Sequence, residues 1–381
     1  MEKKRKVQVI VHCKEYEKRQ QELGHIGFIK YNLPMINAFV LEVDEDQLEA
    51  IRSMDGLLSV EMDTHITAQM NRVNDVIESR WAHDRGYYGS GVGVAIVDTG
   101  ITLHKDFIDE RNRVVAFVDF INQRTEPYDD NGHGTHVAGI IGGNGYSSKG
   151  KYKGIAPECN FIGVKVLDHR GDGNISDVLA GLQWIMDNRK KYNIRVVNIS
   201  VGTSSKDNLD ENSLLVQGVN SVWDHGIIVV VAAGNNGPGP MSISTPGISR
   251  KVITVGSSDD NISVEVFGTG KSKDYSGRGP TPFCIKKPDI VAPGSNIISC
   301  NISRYGNRLK GNDSPMMYTV KSGTSMATPV VSGAIALLLG AHPELSNREV
   351  KLRLRGCAVD LGQHWEKQGW GLLNVRRLLE Q

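Results

Sequence analysis

Three short segments each set a reactive side chain where a buried element ends or begins. In GVAIVDTGI, Asp98 closes an apolar strand, and the glycine two residues on permits a tight turn. In DDNGHGTHVAGI, His133 stands between glycines at the expected start of a helix, with His136 three residues further. In KSGTSMATPVVSGAIALLL, Ser325 lies where a Gly-containing loop enters a long apolar helix. Each has a plainer reading when taken singly: a capping aspartate, a pair of metal-binding or core histidines, a helix N-cap serine. Together they offer a nucleophile, a base and a carboxylate. A serine hydroxyl is a weak nucleophile until an adjacent base takes its proton, and an imidazole base works best when a carboxylate fixes its tautomer.

The elements that must position these groups follow from the hydrophobic pattern. Past Ser90, unbroken apolar runs (VGVAIVD, NFIGVKVL, RVVNISV, IIVVVAAG) alternate with helical stretches at residues 176–190 and 213–225. Such runs indicate a parallel sheet covered on both faces, hence an α/β domain of three layers. The first seventy residues read differently. Strands are expected at VQVIVHC, AFVLEV and LLSVEM, with a helix over Lys14–Leu23. A second helix is expected to start at Asp44, where Gln47 completes a capping box, and to stop at Gly56. The order is that of a split βαβ unit, a small α+β (ferredoxin-like) module. Between Thr64 and Ser90 the apolar rhythm weakens. The expected division is therefore 1–70, a 71–90 linker and start of the mature chain, and 91–381.

Bulk properties exclude several classes. The chain has 381 residues, 39% hydrophobic and 23% charged, enough for one large domain and a small one. A formal net charge of +1 provides no field suited to nucleic acid or an anionic membrane. The five cysteines (Cys13, Cys159, Cys284, Cys300, Cys357) form no CxxC pair, which points to free thiols in a reducing compartment. The N-terminus lacks the pattern of a signal peptide, and no later stretch reads as a membrane span, SGAIALLLG having the length of a buried helix. The expected location is cytoplasmic, with release without a leader as the alternative. Four Asn-Ile-Ser sequons, at Asn174, Asn198, Asn261 and Asn301, are then coincidental.

The motifs DTGI, HGTHVAG and GTSMATP, in the chain order Asp, His, Ser, resemble the subtilase family of serine proteases. The resemblance spans roughly Val92 to Leu373, and PYDDNGHGTHVAGI with KYKGIAPE is most similar to bacterial members without an export signal. It implies a serine endopeptidase with Asp98, His133 and Ser325 as its triad and His136 as a structural residue. It implies that Asn235, in the AAGN register of IIVVVAAGNNG, donates to the oxyanion beside the Ser325 N–H; Asn236 is the alternative. It implies that Gly171, Gly173 and the stretch from Asn198 to Thr203 flank an extended polypeptide substrate. Ser200, Val201, Gly202, Ala232, Ala233 and Gly234 would wall a specificity pocket with Ser244 at its base. No acidic residue marks that pocket, so an apolar or medium-sized side chain is expected there.

The N-terminal module resembles the family's inhibitory prodomain, an intramolecular partner. Its tail, SVEMDTHITAQM, implies self-cleavage between Met70 and Asn71, with Thr67 to Met70 in the groove. The chemistry implied needs no cofactor. The family also allows a structural calcium ion, but the loop after the histidine motif, GGNGYSSKGKYKG, has no carboxylate. Asp129, Asp130 and Asp172 are scattered alternatives, and no metal residue is assigned. The competing reading is a pseudoprotease that binds a partner through the groove; the presence of all triad residues and of Asn235 argues against it. The sequence names no substrate and no oligomeric state.

Overall fold

The computed structural model describes residues 6–62, 69–203, 211–262, 273–302 and 316–381. The chain forms two compact units, Met1–Thr67 and Ala68–Gln381. In the first, β1 (Lys6–Cys13), α1 (Tyr16–Ile26), β2 (Phe28–Leu33), β3 (Ala38–Asp44), α2 (Leu48–Arg52) and β4 (Leu57–Met62) follow in order. The strands make an antiparallel sheet in the order β2–β3–β1–β4. Alternation along β1 and β3 sends Val9, Val11, Cys13, Phe39, Leu41 and Val43 to one face, where they pack with Leu23 and Ile51 from the helices. Gln47 Oε1 accepts the Asp44 N–H at 3.0 Å, the capping interaction expected there, although it closes a 3₁₀ turn ahead of α2.

The second unit opens with α3 (Gln69–Val76) and α4 (Ser79–His83). Val73, Ile77 and Ala82 are buried in its main core, so residues 71–90 are not the linker the weak apolar rhythm suggested. The rhythm misleads because two short helices each contribute only one or two core residues. The unit continues through β5 (Gly93–Asp98), α5 (Lys105–Ile108), β6 (Val114–Asp119), α6 (His133–Gly142), β7 (Asn160–Lys165), α7 (Ile175–Asn188) and β8 (Ile194–Ile199). It goes on with α8 (Leu214–Asp224), β9 (Ile228–Ala232), β10 (Ile253–Ser257), the short pair β11 (Asn261–Ile262) and β12 (Lys273–Asp274), and β13 (Ile290–Ala292). A hairpin of β14 (Ile297–Cys300) and β15 (Tyr318–Lys321) leads into α9 (Thr324–Ala341), followed by α10 (Asn347–Cys357), α11 (Trp365–Gln368) and α12 (Val375–Leu379).

Seven strands form one sheet, β13–β10–β9–β8–β5–β7–β6, in which every neighbouring pair is parallel. All residues of β5 and β9 are buried, which is why these strands read as continuous apolar runs. Helix α6 packs with α9, and α7 with α8. Helices α6 and α9 both lie against β5, and α7 and α8 lie against β5 and β9, the helical layers of a three-layer α/β architecture. The neighbours of β5 are β7 and β8, so the strand order reverses there and a crevice opens at its carboxyl end. Asp98 is the last residue of that strand.

Helix α9 corrects one expectation. Its 18 residues are long and apolar enough to cross a membrane by length and composition, because the helix begins well before SGAIALLLG. It is instead the central helix of this unit, with nearly every side chain from Thr324 to Leu339 buried.

Candidate active site

Asp98 and His133 are brought together by two elements that meet at the crevice. The carboxylate is fully buried; its Oδ1 lies 2.7 Å from His133 Nδ1 and also accepts the Thr99 N–H at 2.8 Å. Its Oδ2 is buried with no hydrogen-bond partner among the described residues, so the Nδ1–H carries much of the charge stabilisation. The His133 side chain is 23% exposed, whereas that of Asp98 is wholly buried. Burial works against its charged form, but the charge and hydrogen bond of Asp98 outweigh burial and raise its pKa above the ordinary histidine value. Lys321 opposes this rise and Asp129 adds to it.

The loop before α6 fixes the histidine. Asp129 Oδ1 accepts from the Thr99 hydroxyl (3.0 Å), the Asn131 N–H (3.1 Å) and the Gly132 N–H (2.8 Å); its Oδ2 accepts from the Thr135 N–H (2.9 Å) and hydroxyl (2.7 Å). This side chain thus satisfies the Thr135 N–H, one of the orphan donors at the helix start, and ties the loop to the residue after Asp98. The Thr99 hydroxyl in turn accepts the Gly134 N–H at 2.9 Å. Position 134 must be glycine, since a Cβ there would fall 2.1 Å from the Gly100 carbonyl oxygen. Lys165, fully buried, donates to Thr99 O (2.6 Å), Leu167 O (2.8 Å) and Asp130 Oδ1 (2.8 Å), which anchors the same turn from below.

Ser325 is the second residue of α9, so its N–H is among the four with no partner inside the helix. Its hydroxyl donates to the Ser200 carbonyl at 2.8 Å, and the Ser200 hydroxyl donates back to the Ser325 carbonyl at 3.1 Å. A buried chain from Ser332 through Asn198 to Ser200 braces this clamp between β8 and α9. The hydroxyl therefore rests on main chain, and no hydrogen bond joins it to His133.

Asn235 follows β9 and reaches the start of the same helix. Its Oδ1 accepts both the Thr324 N–H (2.9 Å) and the Thr324 hydroxyl (3.0 Å). A backbone N–H can only donate, so this contact fixes the amide orientation and leaves Nδ2 as a donor without a partner among the described residues. Asn235 Nδ2 and the Ser325 N–H lie on the same side of Gly323, 3.3 and 3.8 Å from where a Cβ on that residue would stand. Asn236 instead donates to Ser244 Oγ at 3.2 Å, away from this pair of donors.

The expected pocket residues converge. Ser244 N–H donates to Ala233 O, and Thr203 and Thr245 pair across an antiparallel bridge, which sets Ser200–Gly202 and Ala232–Gly234 on either side of Ser244. Gly234, at φ +90°, passes so close to Ser244 that a side chain would overlap its Cβ and hydroxyl. Gly171 and Gly173 lie in an exposed turn, not in a strand, held near His133 through Asn131 Nδ2, which donates to His169 O at 3.1 Å. Met70 and Asn71 fall within α3, so the bond between them is helical here and not extended. Thr67, expected alongside Met70 in the groove, lies outside the described residues.

His136 is structural. Its Nε2–H donates to Ile297 O (3.1 Å) and Thr319 O (3.2 Å), and burial lowers its pKa to about 3. The scattered carboxylates do not fit a calcium ion: Asp129 is saturated by hydrogen bonds and Asp130 is held by Lys165, while Asp172 is exposed in the turn after His169. His104, Asp106 and Cys300 also converge, buried, but with their atoms already engaged. His104 accepts the Asp106 N–H and donates to Met317 O, while Asp106 accepts from the Ser147 N–H and the Tyr318 hydroxyl. Burial, with the neighbouring Asp106, pushes the Cys300 thiol well above its ordinary range, so it is no ready thiolate ligand.

Sequence reasoning missed Thr99, Lys165 and Thr324, and took Asp129 for a metal candidate. Their roles depend on partners that are distant in sequence or on hydrogen bonds no spacing rule reports. Asp129 did carry a signal, an Asp shortly before a helix start.

Comparison with known proteins agrees with this geometry. The model of the subtilase family, peptidase S8, matches residues 89–371. The chain is 37% identical over 377 residues to the serine protease AprX of Bacillus subtilis, covering 93% of this chain and 83% of that one. It is 30% identical to a thermostable alkaline protease of Halalkalibacterium halodurans, covering 99% and 92%. A solved cold-adapted subtilisin-like serine proteinase superposes with a TM-score of 0.57 at 30% identity, over 76% of this chain and 90% of the other. A parallel sheet with its reactive groups at the switch point, matched over most of its length, places the chain in the subtilase family. It is a subtilisin-like serine endopeptidase.

Proposed function

We propose that the protein cleaves polypeptides through Asp98, His133 and Ser325, with Asn235 as oxyanion donor and the N-terminal unit as its own inhibitory prodomain. The observation that carries this reading is the 2.7 Å Asp98–His133 contact, together with a helix start that presents Ser325 and two donors unpartnered among the described residues. The Ser325 hydroxyl leaves the Ser200 carbonyl and gives its proton to His133 Nε2 as Oγ attacks the substrate carbonyl carbon. Negative charge collects on the carbonyl oxygen, where Asn235 Nδ2 and the Ser325 N–H meet it, aided by the positive end of α9. His133 then gives the proton to the leaving amine, the C–N bond breaks, and an acyl-enzyme remains. Water, deprotonated by His133, releases it. Asp98 keeps Nδ1 protonated and stabilises the imidazolium throughout. All groups needed for these steps belong to the chain itself.

The antiparallel module of Met1–Thr67 supports the prodomain reading by its topology, and cleavage between Met70 and Asn71 would release it. That bond lies in the first turns of α3, so cutting there requires those turns to unwind. The five free thiols support action in a reducing compartment, the cytoplasm.

The test is the intact mass of the purified chain beside Ser325→Ala, with a peptide-hydrolysis assay on both. Splitting near Met70 in the native chain alone supports triad, self-processing and boundary together. Peptide hydrolysis without splitting removes the prodomain reading and keeps the triad. No hydrolysis by the native chain removes the triad reading and brings the groove-binding pseudoprotease forward.

A further inference from the structure

The acyl half of a bound substrate faces an uncharged surface, since Ser200–Gly202, Ala232–Gly234 and Ser244 carry no ionised side chain. The side around His133 differs. The hairpin of β14 and β15 abuts α6 one turn beyond His133, where the Ile297 and Thr319 carbonyls both accept the His136 Nε2–H. Lys321 pairs with Ile297 in the ladder, lies two residues beyond Thr319, and precedes Ser325 by four. This brings its ammonium into electrostatic reach of both His133 and His136. The side chain is half-buried and makes no hydrogen bond or ion pair among the described residues. The anions near His133 are already committed, Asp98 to the imidazole and Asp129 to five donors.

We propose that Lys321 is a specificity-determining residue that favours substrates with Asp or Glu at the first or second position after the scissile bond. The side follows from the chemistry: His133 must stand beside the leaving amine to protonate it, and Lys321 sits on the hairpin that is hydrogen-bonded to α6, the helix that His133 opens. A half-buried cation with no partner among the described residues gains most from an anion delivered by the substrate, and it repels a cation placed there. The selectivity sits in this chain's lysine, independent of the apolar pocket on the acyl side. The inference rests on the peptidase reading above.

The test uses the full chain and three quenched fluorescent peptides that differ only by Glu, Gln or Lys in the two positions after the bond, with the cut verified by mass. Surface ion pairs suggest that kcat/KM for Glu exceeds that for Lys by about three- to fivefold in low salt, shrinking as salt is added. Lys321→Gln should bring the Glu/Lys ratio to about one, and Lys321→Glu should invert it. Equal cleavage of the Glu and Lys peptides by the native chain, or an unchanged ratio in both variants, overturns the proposal while leaving the peptidase reading intact. If none of the peptides is cut, the peptidase reading falls and this one with it.

Discussion

Asn235 and Thr324 are joined by two hydrogen bonds that end on one oxygen: Oδ1 of Asn235 accepts both the backbone N–H and the hydroxyl of Thr324. The contact aims the opposite end of the amide, Nδ2, past Gly323 towards the space above Ser325. A donor held in this way needs no reorganisation when charge develops on the substrate oxygen. Asn235→Leu is therefore expected to lower kcat by about 10²–10³-fold with little change in KM. Thr324→Val keeps the backbone bond and loses the hydroxyl bond, so its loss of kcat should be smaller. Steady-state kinetics on one peptide tests both, and equal losses in the two variants would refute the division of roles.

Asp129 is expected to matter for stability as well as rate. Replacing it with Asn puts an NH₂ group where donors already point, and leaves at least one buried donor unmatched. The cost of such a group is about 1–3 kcal/mol, visible as a lower Tm in a thermal melt. Because the same bonds hold the start of α6, kcat should fall too.

The parts of this site legible in the sequence were those carried by local pattern. Asp98 ends a strand whose every residue is buried, and Ser325 opens a helix that is mostly apolar and almost wholly buried, so both elements announce themselves by composition. The capping box at Asp44–Gln47 was legible for the same reason. The strands β10 and β13 were not, being short and set among loops, nor was the turn of helix formed by Ser79–His83. Lys165 illustrates the deeper limit. A lysine in NFIGVKVL reads as a charge at a strand end, yet it is buried because three oxygens from Thr99, Asp130 and Leu167 converge on it. Only the parallel register of β5 with β7, which sets Lys165 beside Asp98, makes that convergence visible.

The pH dependence of activity should follow His133. Its pKa is raised, so the imidazolium persists to higher pH than in a free histidine, and the base form is lost as pH falls through that raised value. The acid limb of kcat/KM is expected above about pH 6.5, the ordinary histidine value. Asp98→Asn removes the charge that raises it while Lys321 still opposes protonation, so the residual activity should show its acid limb at lower pH. The rate itself should drop by about 10⁴-fold. An acid limb that stays in place in Asp98→Asn would mean another group controls it.

Acid stability should follow His136, a histidine that does no chemistry. Burial holds its folded pKa at about 3, and His83 and His104 are lowered by burial as well. Below about pH 6.5 the unfolded chain takes up protons that the folded chain refuses, so stability falls progressively as pH drops from there towards 3. Above pH 6.5 both states leave the ring neutral and this contribution is constant. A glutamine at 136 can still donate an N–H to Ile297 O and Thr319 O but cannot take up a proton. His136→Gln is therefore expected to lose less stability than the native chain between pH 7 and pH 4.5, even if it is weaker at pH 7 from imperfect packing. Denaturant midpoints at the two pH values, on the Ser325→Ala background to prevent self-digestion, measure the difference directly. Parallel losses in the two proteins would assign acid sensitivity to the carboxylates instead.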